Sequence, residues 1–213
     1  MKKNRKLIVF CKFFKSRMGA FKDILVLLGK KKEVIKIDRE YQKIKFIGPW
    51  GLEKVAKLYR GVSEEKLKEL AFNYCDKNLM EGMREVVVNL KKRGFILGAL
   101  SSNPQFLMDT LKEILPLDFS EGTHLEFKNG IATGKISKKV DRYKKAEILK
   151  EKKKNYKITG EDTIVFGGSI TDIPMVKEAG VFIGFDVEKE TISDVARMVI
   201  SNKDLWKILS RGI

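Results

Sequence analysis

Cysteine, histidine, glutamine and proline are all scarce in this chain of 213 residues, at two, one, two and four copies. Two cysteines, Cys11 and Cys75, are too few for a disulfide framework at this size, which points to a reducing compartment and a cytoplasmic location. The single histidine, His124, has no second histidine or carboxylate cluster beside it, which argues against zinc and leaves it a surface or capping role. Four prolines and 17 glycines exclude collagen-like and proline-rich material. No apolar run approaches the ~20 residues that cross a bilayer, so no membrane partner is expected. The basic start MKKNRK is followed only by LIVFC before Lys12 interrupts, too short for a signal-peptide core. At 43% hydrophobic residues the chain is too apolar for disorder.

Positive charge, in contrast, is plentiful. Lys and Arg number 44 against 28 Asp and Glu, a net charge of +16. Residues 1–60 hold 18 basic and 5 acidic side chains, a net of +13, so most of the excess sits there. Such a field attracts anions: phosphate esters, nucleic acid or an acidic partner. A lysine-rich solvated surface accounts for the same numbers, and both readings stand. No helix-turn-helix, zinc-finger or RNA-recognition signature accompanies the charge, so any nucleic-acid contact is expected to be weak and salt-dependent.

Four short apolar runs, Leu7–Cys11, Phe95–Leu100, Thr163–Gly167 and Val181–Phe185, are nearly continuous rather than alternating, as strands buried on both faces are. Helical patterns separate them. Met83, Val86, Val87 and Leu90 share one face, Phe106 to Leu115 form a second amphipathic run, and Ile173, Met175, Val176 and Ala179 predict a third helix. This alternation predicts a three-layer α/β core with a parallel sheet. Residues 17–80 break the rhythm. Val34, Ile37, Tyr41 and Ile44 predict one helix stopped by Gly48-Pro49, Leu52, Val55 and Tyr59 a second, and Ser63 caps a third with Leu67, Leu70, Ala71 and Tyr74. The expected organisation is a core of residues 1–16 and 81–213 with a helical cap of residues 17–80. Asn129-Gly130 predicts a type I′ hairpin within Leu125–Ile136, and Lys150–Lys157 an exposed helix end. Trp50 and Trp206 read as packing anchors.

Open α/β sheets bind ligands at the carboxyl ends of their strands. Three such ends carry small or polar residues: Cys11 on the first strand, Ser101, Ser102 and Asn103 on the second, and Gly167 to Ser169, Thr171 and Asp172 on the third. Exposed backbone N–H groups there favour a phosphate or carboxylate. Taken singly, the same residues are ordinary turn formers.

In these segments the chain resembles the haloacid dehalogenase superfamily, and within it the phosphoserine phosphatases. KLIVFCKFFKS resembles the first motif, a hydrophobic strand and D-x-D-x-[TS]. EGMREVVVNLKKRGFILGALSSN resembles the approach to the second-motif hydroxyl, at Ser101. YKKAEIL resembles the third-motif lysine region, with Lys145 the match and Lys144 its neighbour. EDTIVFGGSITDIPMVKEAG resembles the fourth motif, G-D-x-x-N-D and its helix. The helical insert matches that family's cap in place and size. The resemblance implies a Mg²⁺-dependent phosphatase ancestry, with an aspartyl nucleophile and an aspartate acid/base.

Cys11 and Phe13 stand at those two aspartate positions, Lys15 at the motif-one hydroxyl, and Gly168 at the metal-ligating aspartate. Phosphate-ester chemistry needs an attacking group, a metal and a proton donor. The expectation is therefore no intact catalytic residue, no Mg²⁺ or other cofactor, and a retained anion pocket of Ser101, Ser102, Lys145 and Asp172. Ala20 stands where the serine-selective enzymes carry an acidic residue, which removes that head-group contact. Phe13 and Phe14 are expected to plug the former metal pocket. The expected function is a catalytically impaired, phosphatase-like protein that binds a phosphorylated small molecule or a partner protein. An active phosphomonoester hydrolase with altered chemistry and a basic nucleic-acid-associated protein are the alternatives. CKFFKSR has the C-x5-R spacing of thiol phosphatases, but its bulky, glycine-free interior makes a poor phosphate loop, and Cys11 ends a buried strand as a small hydrophobe.

Overall fold

The computed structural model describes residues 6–16, 18–44, 51–187, 192, 194–205 and 207. Arg17, Gly48-Pro49, Trp50 and Trp206, on which expectations were placed, lie outside them. In chain order the elements are β1 (Leu7–Phe10), α1 (Ala20–Leu27), α2 (Lys31–Ile44), α3 (Leu52–Lys57), α4 (Glu64–Asn78), α5 (Met83–Lys92), β2 (Ile96–Pro104), α6 (Gln105–Ile114), β3 (Phe119–Lys128), β4 (Ile131–Lys138), α7 (Arg142–Tyr156), β5 (Thr163–Gly167), β6 (Val181–Phe185) and β7 (Met198–Ile200). The sheet runs β4-β3-β2-β1-β5-β6-β7. Every adjacent pair is parallel except β3 with β4.

Strand β1 is central, pairing Leu7 with Ile96 on one side and Thr163 on the other. All four of its residues are buried, which is why its sequence is continuously apolar. Its alternate residues feed two cores. Ile8 and Phe10 pack with α5, α6 and the inserted helices, whereas Leu7, Val9 and Cys11 pack with Ile148 and Leu149 of α7 and with Met175. These are the two helical layers on either side of the sheet.

Helices α1–α4 intervene between β1 and α5, and the insert is pinched at its base. The N–H of Lys15 donates to the Asn78 carbonyl (2.8 Å) and that of Met80 to the Phe13 carbonyl (2.9 Å). A second attachment lies at the hairpin, where Glu64 N–H bonds the Gly130 carbonyl and Gly61 N–H the Ala132 carbonyl. Asn129 and Gly130 both take positive φ (50° and 74°), the type I′ geometry their sequence predicts. Ser63 caps α4 by accepting from Lys66 N–H (3.2 Å).

Several expectations are corrected. The segment holding Ile173 to Ala179 is a 3₁₀ helix, Ile170–Glu178, not an α-helix. Pro174 has no N–H to give and its ring would clash with the Ile170 carbonyl of an α-helix, which breaks the α ladder here. Tyr59 lies beyond the end of α3, in a turn, with its hydroxyl bonded to the Phe21 carbonyl (2.7 Å). Ser101, Ser102 and Asn103 fall within β2 rather than after it. His124 is neither surface nor cap: it is half-buried within β3, its Nε2 enclosed without a hydrogen-bond partner, and burial lowers its pKa. Strand β7, only three residues long, carries no periodicity to find it by.

Candidate functional site

The carboxyl ends of β1, β2 and β5 open into one cavity of about 270 Å³, roofed by α1, α2 and α3. Its core-side wall includes Cys11, Ser101, Ser102, Lys145, Gly168 and Asp172, and Phe13 and Ala20 border it as well. The structure thus brings every candidate anion-binding residue to a single place with Cys11, Phe13, Ala20 and Gly168.

Lys145 and Asp172 form its most enclosed polar contact. Along α7, residues 145, 148 and 149 share the buried face, so Lys145 is carried inward with Ile148 and Leu149 while its lysine-rich neighbours stay at the surface. Its Nζ donates to Asp172 Oδ1 (2.7 Å) and Thr171 Oγ1 (2.8 Å), and the two charged residues are only 3% and 2% exposed. Asp172 Oδ2 accepts from the N–H groups of Gly168 (2.9 Å) and Ser169 (3.0 Å). Ser169 and Asp172 form a capping box at the start of the 3₁₀ segment, which holds this carboxylate in place. A buried charge is tolerated only when paired and hydrogen-bonded, and here both conditions are met. On β2, Ser101 is buried at the cavity wall and its Oγ accepts from Asn103 N–H (3.3 Å).

Cys11 lies beside this pair. Burial pushes its thiol well above the ordinary range, and the neighbouring Asp172 charge pushes the same way, against a smaller opposing effect of Lys145. A thiol so placed holds its proton and is a poor nucleophile. Arg17, the partner in the C-x5-R spacing, is outside the described residues.

Gly168 is held by close approach of backbone. A Cβ on it would stand 2.5 Å from the Phe185 carbonyl oxygen and 3.3 Å from Cδ of Lys12. Lys12 crosses here to reach Asp186, where its Nζ bonds both Oδ2 (2.6 Å) and the backbone carbonyl (3.0 Å). Magnesium prefers several carboxylate oxygens. This end of the cavity offers a buried thiol, a glycine, Asp172, whose oxygens already serve Lys145 and two N–H groups, and Asp186, whose carboxylate is paired with Lys12. Among the described residues, no group of three or more His, Cys, Asp or Glu converges as a metal site would. The donors do not fit Mg²⁺.

Phe13 and Phe14 do not plug the pocket. Both border it but are anchored elsewhere, Phe13 against Phe10 (ring centroids 5.8 Å) and Phe14 edge-on to Tyr74 (5.3 Å), and the cavity stays open beside them. Lys15 is exposed and does not line the cavity, and Lys144 points outward to Glu147 (2.7 Å). Of the lysines in the basic first 60 residues, Lys12, Lys22 and Lys54 are ion-paired with Asp186, Asp38 and Glu40.

Residues 14–177 match the family model of haloacid dehalogenase-like hydrolases. The chain belongs to this family. It is similar to phosphoserine phosphatases within the family: 30% identical to that of Methanocaldococcus jannaschii over 213 residues, covering 98% of each chain. It is 34% identical over 160 residues to that of Archaeoglobus fulgidus, a match spanning 75% of this chain and 45% of that protein. A substrate-bound phosphoserine phosphatase structure superposes with a TM-score of 0.82 at 28% identity, covering 98% of this chain and 99% of the other. A phospho-aspartyl intermediate analogue of phosphoserine phosphatase superposes at 0.81 with 28% identity and the same coverage. Among the described residues no helix is long and apolar enough to cross a membrane.

Two contributors, Lys12 and Asp186, are not among the candidate site residues of the sequence, and one contact of a third, Thr171, is not readable there. Lys12 registered only as an interruption of the first apolar run, and Asp186 not at all, although a carboxylate directly after the apolar strand β6 is a signal of the same kind as Asp172. Thr171 was noticed as polar, but its hydroxyl bond to Lys145 depends on folding.

Proposed function

We propose that this chain binds a phosphorylated small molecule in the cavity between core and cap, and that it lacks turnover by an aspartyl-phosphate route. The observation that carries this reading is the Asp172–Lys145 pair, enclosed beside the buried Cys11 at the nucleophile position. Lys145 uses two of its three donors on Asp172 and Thr171, leaving one for a ligand oxygen. Ser101 and the hydroxyls of Ser102 and Ser169 add donors around it. Lys12 supplies a second ammonium at the end of the cavity where the family resemblance implies a metal. Anion binding would then need no divalent cation.

Calorimetry with inorganic phosphate in EDTA, run beside a Mg²⁺-supplemented phosphatase assay on a panel of phosphomonoesters, tests the reading. The expected result is binding in the millimolar range or tighter, unchanged by EDTA, with no turnover. Hydrolysis of any panel member at ~1 s⁻¹ or more, an ordinary enzyme rate, would overturn it, as would absence of phosphate binding.

A further inference from the structure

On the cap side the cavity adds apolar surface beside Ser16, Lys22, Tyr41 and Gln42. Phe21, Leu52 and Val55, all buried, together with Met18 and Phe14, present an apolar wall from the cap side. Ala20 sits among them with its small side chain enclosed. Each lysine on the lining already has a carboxylate partner, Lys12 with Asp186, Lys22 with Asp38 and Lys145 with Asp172. The oxygens of Asp172 are already occupied by Lys145, Thr171 and two backbone N–H groups. Among the described residues, no carboxylate on the wall is free to receive a cation. An ammonium carried in by a ligand would lose its hydration without gaining a counter-charge, since these carboxylates are already paired with lysines. An apolar group would exchange water for Phe21, Leu52 and Val55. At about 270 Å³ the space suits a phosphate with one compact substituent, since pockets for larger ligands run to about 1,000 Å³.

We infer that the ligand is a small phosphate monoester with an apolar, amine-free organic part, and that phosphorylated amino acids are disfavoured. This rests on the phosphate-binding reading above and adds the chemical class of the ester.

Calorimetry on the intact chain with three probes, inorganic phosphate, phenyl phosphate and O-phospho-L-serine, separates the two. The expected order is phenyl phosphate tightest, with phosphoserine weaker than it by on the order of tenfold, equivalent to about 1.4 kcal/mol. Phosphoserine binding as tightly as phenyl phosphate overturns the ester assignment while leaving the anion pocket standing. So does phenyl phosphate binding no better than inorganic phosphate. Failure of all three to bind removes the phosphate reading itself. Leu52→Ala supplies an independent readout: it should weaken phenyl phosphate about fivefold by removing apolar contact and leave inorganic phosphate unchanged. Equal loss for both probes would mean that the wall does not touch the ester.

Discussion

The ammonium of Lys145 lies 2.7 Å from Oδ1 of Asp172, while the other oxygen of the same carboxylate ties down the backbone at Gly168 and Ser169. One side chain thus anchors a helix to a loop. Asp172→Ala is expected to destabilise the protein by about 3–5 kcal/mol, because it leaves a buried lysine without a counter-charge. Urea denaturation measures it. The double variant Lys145→Met/Asp172→Leu should lose less than the sum of its single variants, and strict additivity would contradict the coupling.

Gly168 and Gly160 offer a matched comparison. Neither needs positive φ, and a Cβ on Gly160 meets nothing closer than 3.6 Å, against 2.5 Å to backbone at Gly168. Gly168→Ala should therefore cost about 1–3 kcal/mol through overpacking, a fall of roughly 3–10 °C in Tm, and Gly160→Ala much less. Equal melting shifts would show that the close approach carries no cost. Restoring aspartate at 168 meets the same obstacle, so Cys11→Asp/Phe13→Asp/Gly168→Asp should fold less stably than the wild type.

Both thiols should be silent in the native state. Burial pushes Cys11 well above the ordinary thiol range and Cys75 up to about 12. Iodoacetamide at pH 7.5 is expected to label neither over an hour, and both in denaturant. Rapid native labelling of Cys11 would revive a thiolate mechanism.

Much of the architecture was legible before folding. Unbroken apolar runs betray β1, β5 and β6 because each is covered on both faces, and Asn129-Gly130 declares a turn that needs two positive φ angles. Lys145 is readable only through family likeness, since nothing in a lysine-rich helix singles out which lysine turns inward. The Lys12–Asp186 pair was not legible at all: its members lie 174 positions apart and meet across the end of β5, which separates β1 from β6. Nor does a glycine reveal in sequence whether its missing side chain marks a loop or a place where another strand leans in.

That pair gives a test of cation supply. Lys12→Met keeps the aliphatic stem over Gly168 and deletes the charge, so phosphate affinity should fall roughly fivefold at low salt and less at high salt, where exposed charges are screened. Adding Mg²⁺ should not rescue it. Rescue by Mg²⁺ would mean that a metal site exists after all.

His124 makes stability depend on pH. Burial, then Lys138, lowers its pKa in the fold below the ordinary 6.5. The unfolded chain then binds the proton more readily, so the contribution is complete above about pH 6.5 and is lost as pH falls through the window beneath it. His124→Gln removes this dependence. The Tm gap between wild type and variant should narrow between pH 7.5 and pH 5.5, and a constant gap would exclude the effect.

The Phe185 carbonyl also limits which residues position 168 can accept. It occupies the volume into which a side chain at residue 168 would extend. Changing a glycine codon to an aspartate codon takes one base, yet here the new residue would arrive against a wall of main chain. Any side chain at 168 therefore needs a second, compensating displacement of the end of β6, so a single substitution there is opposed by the main chain itself.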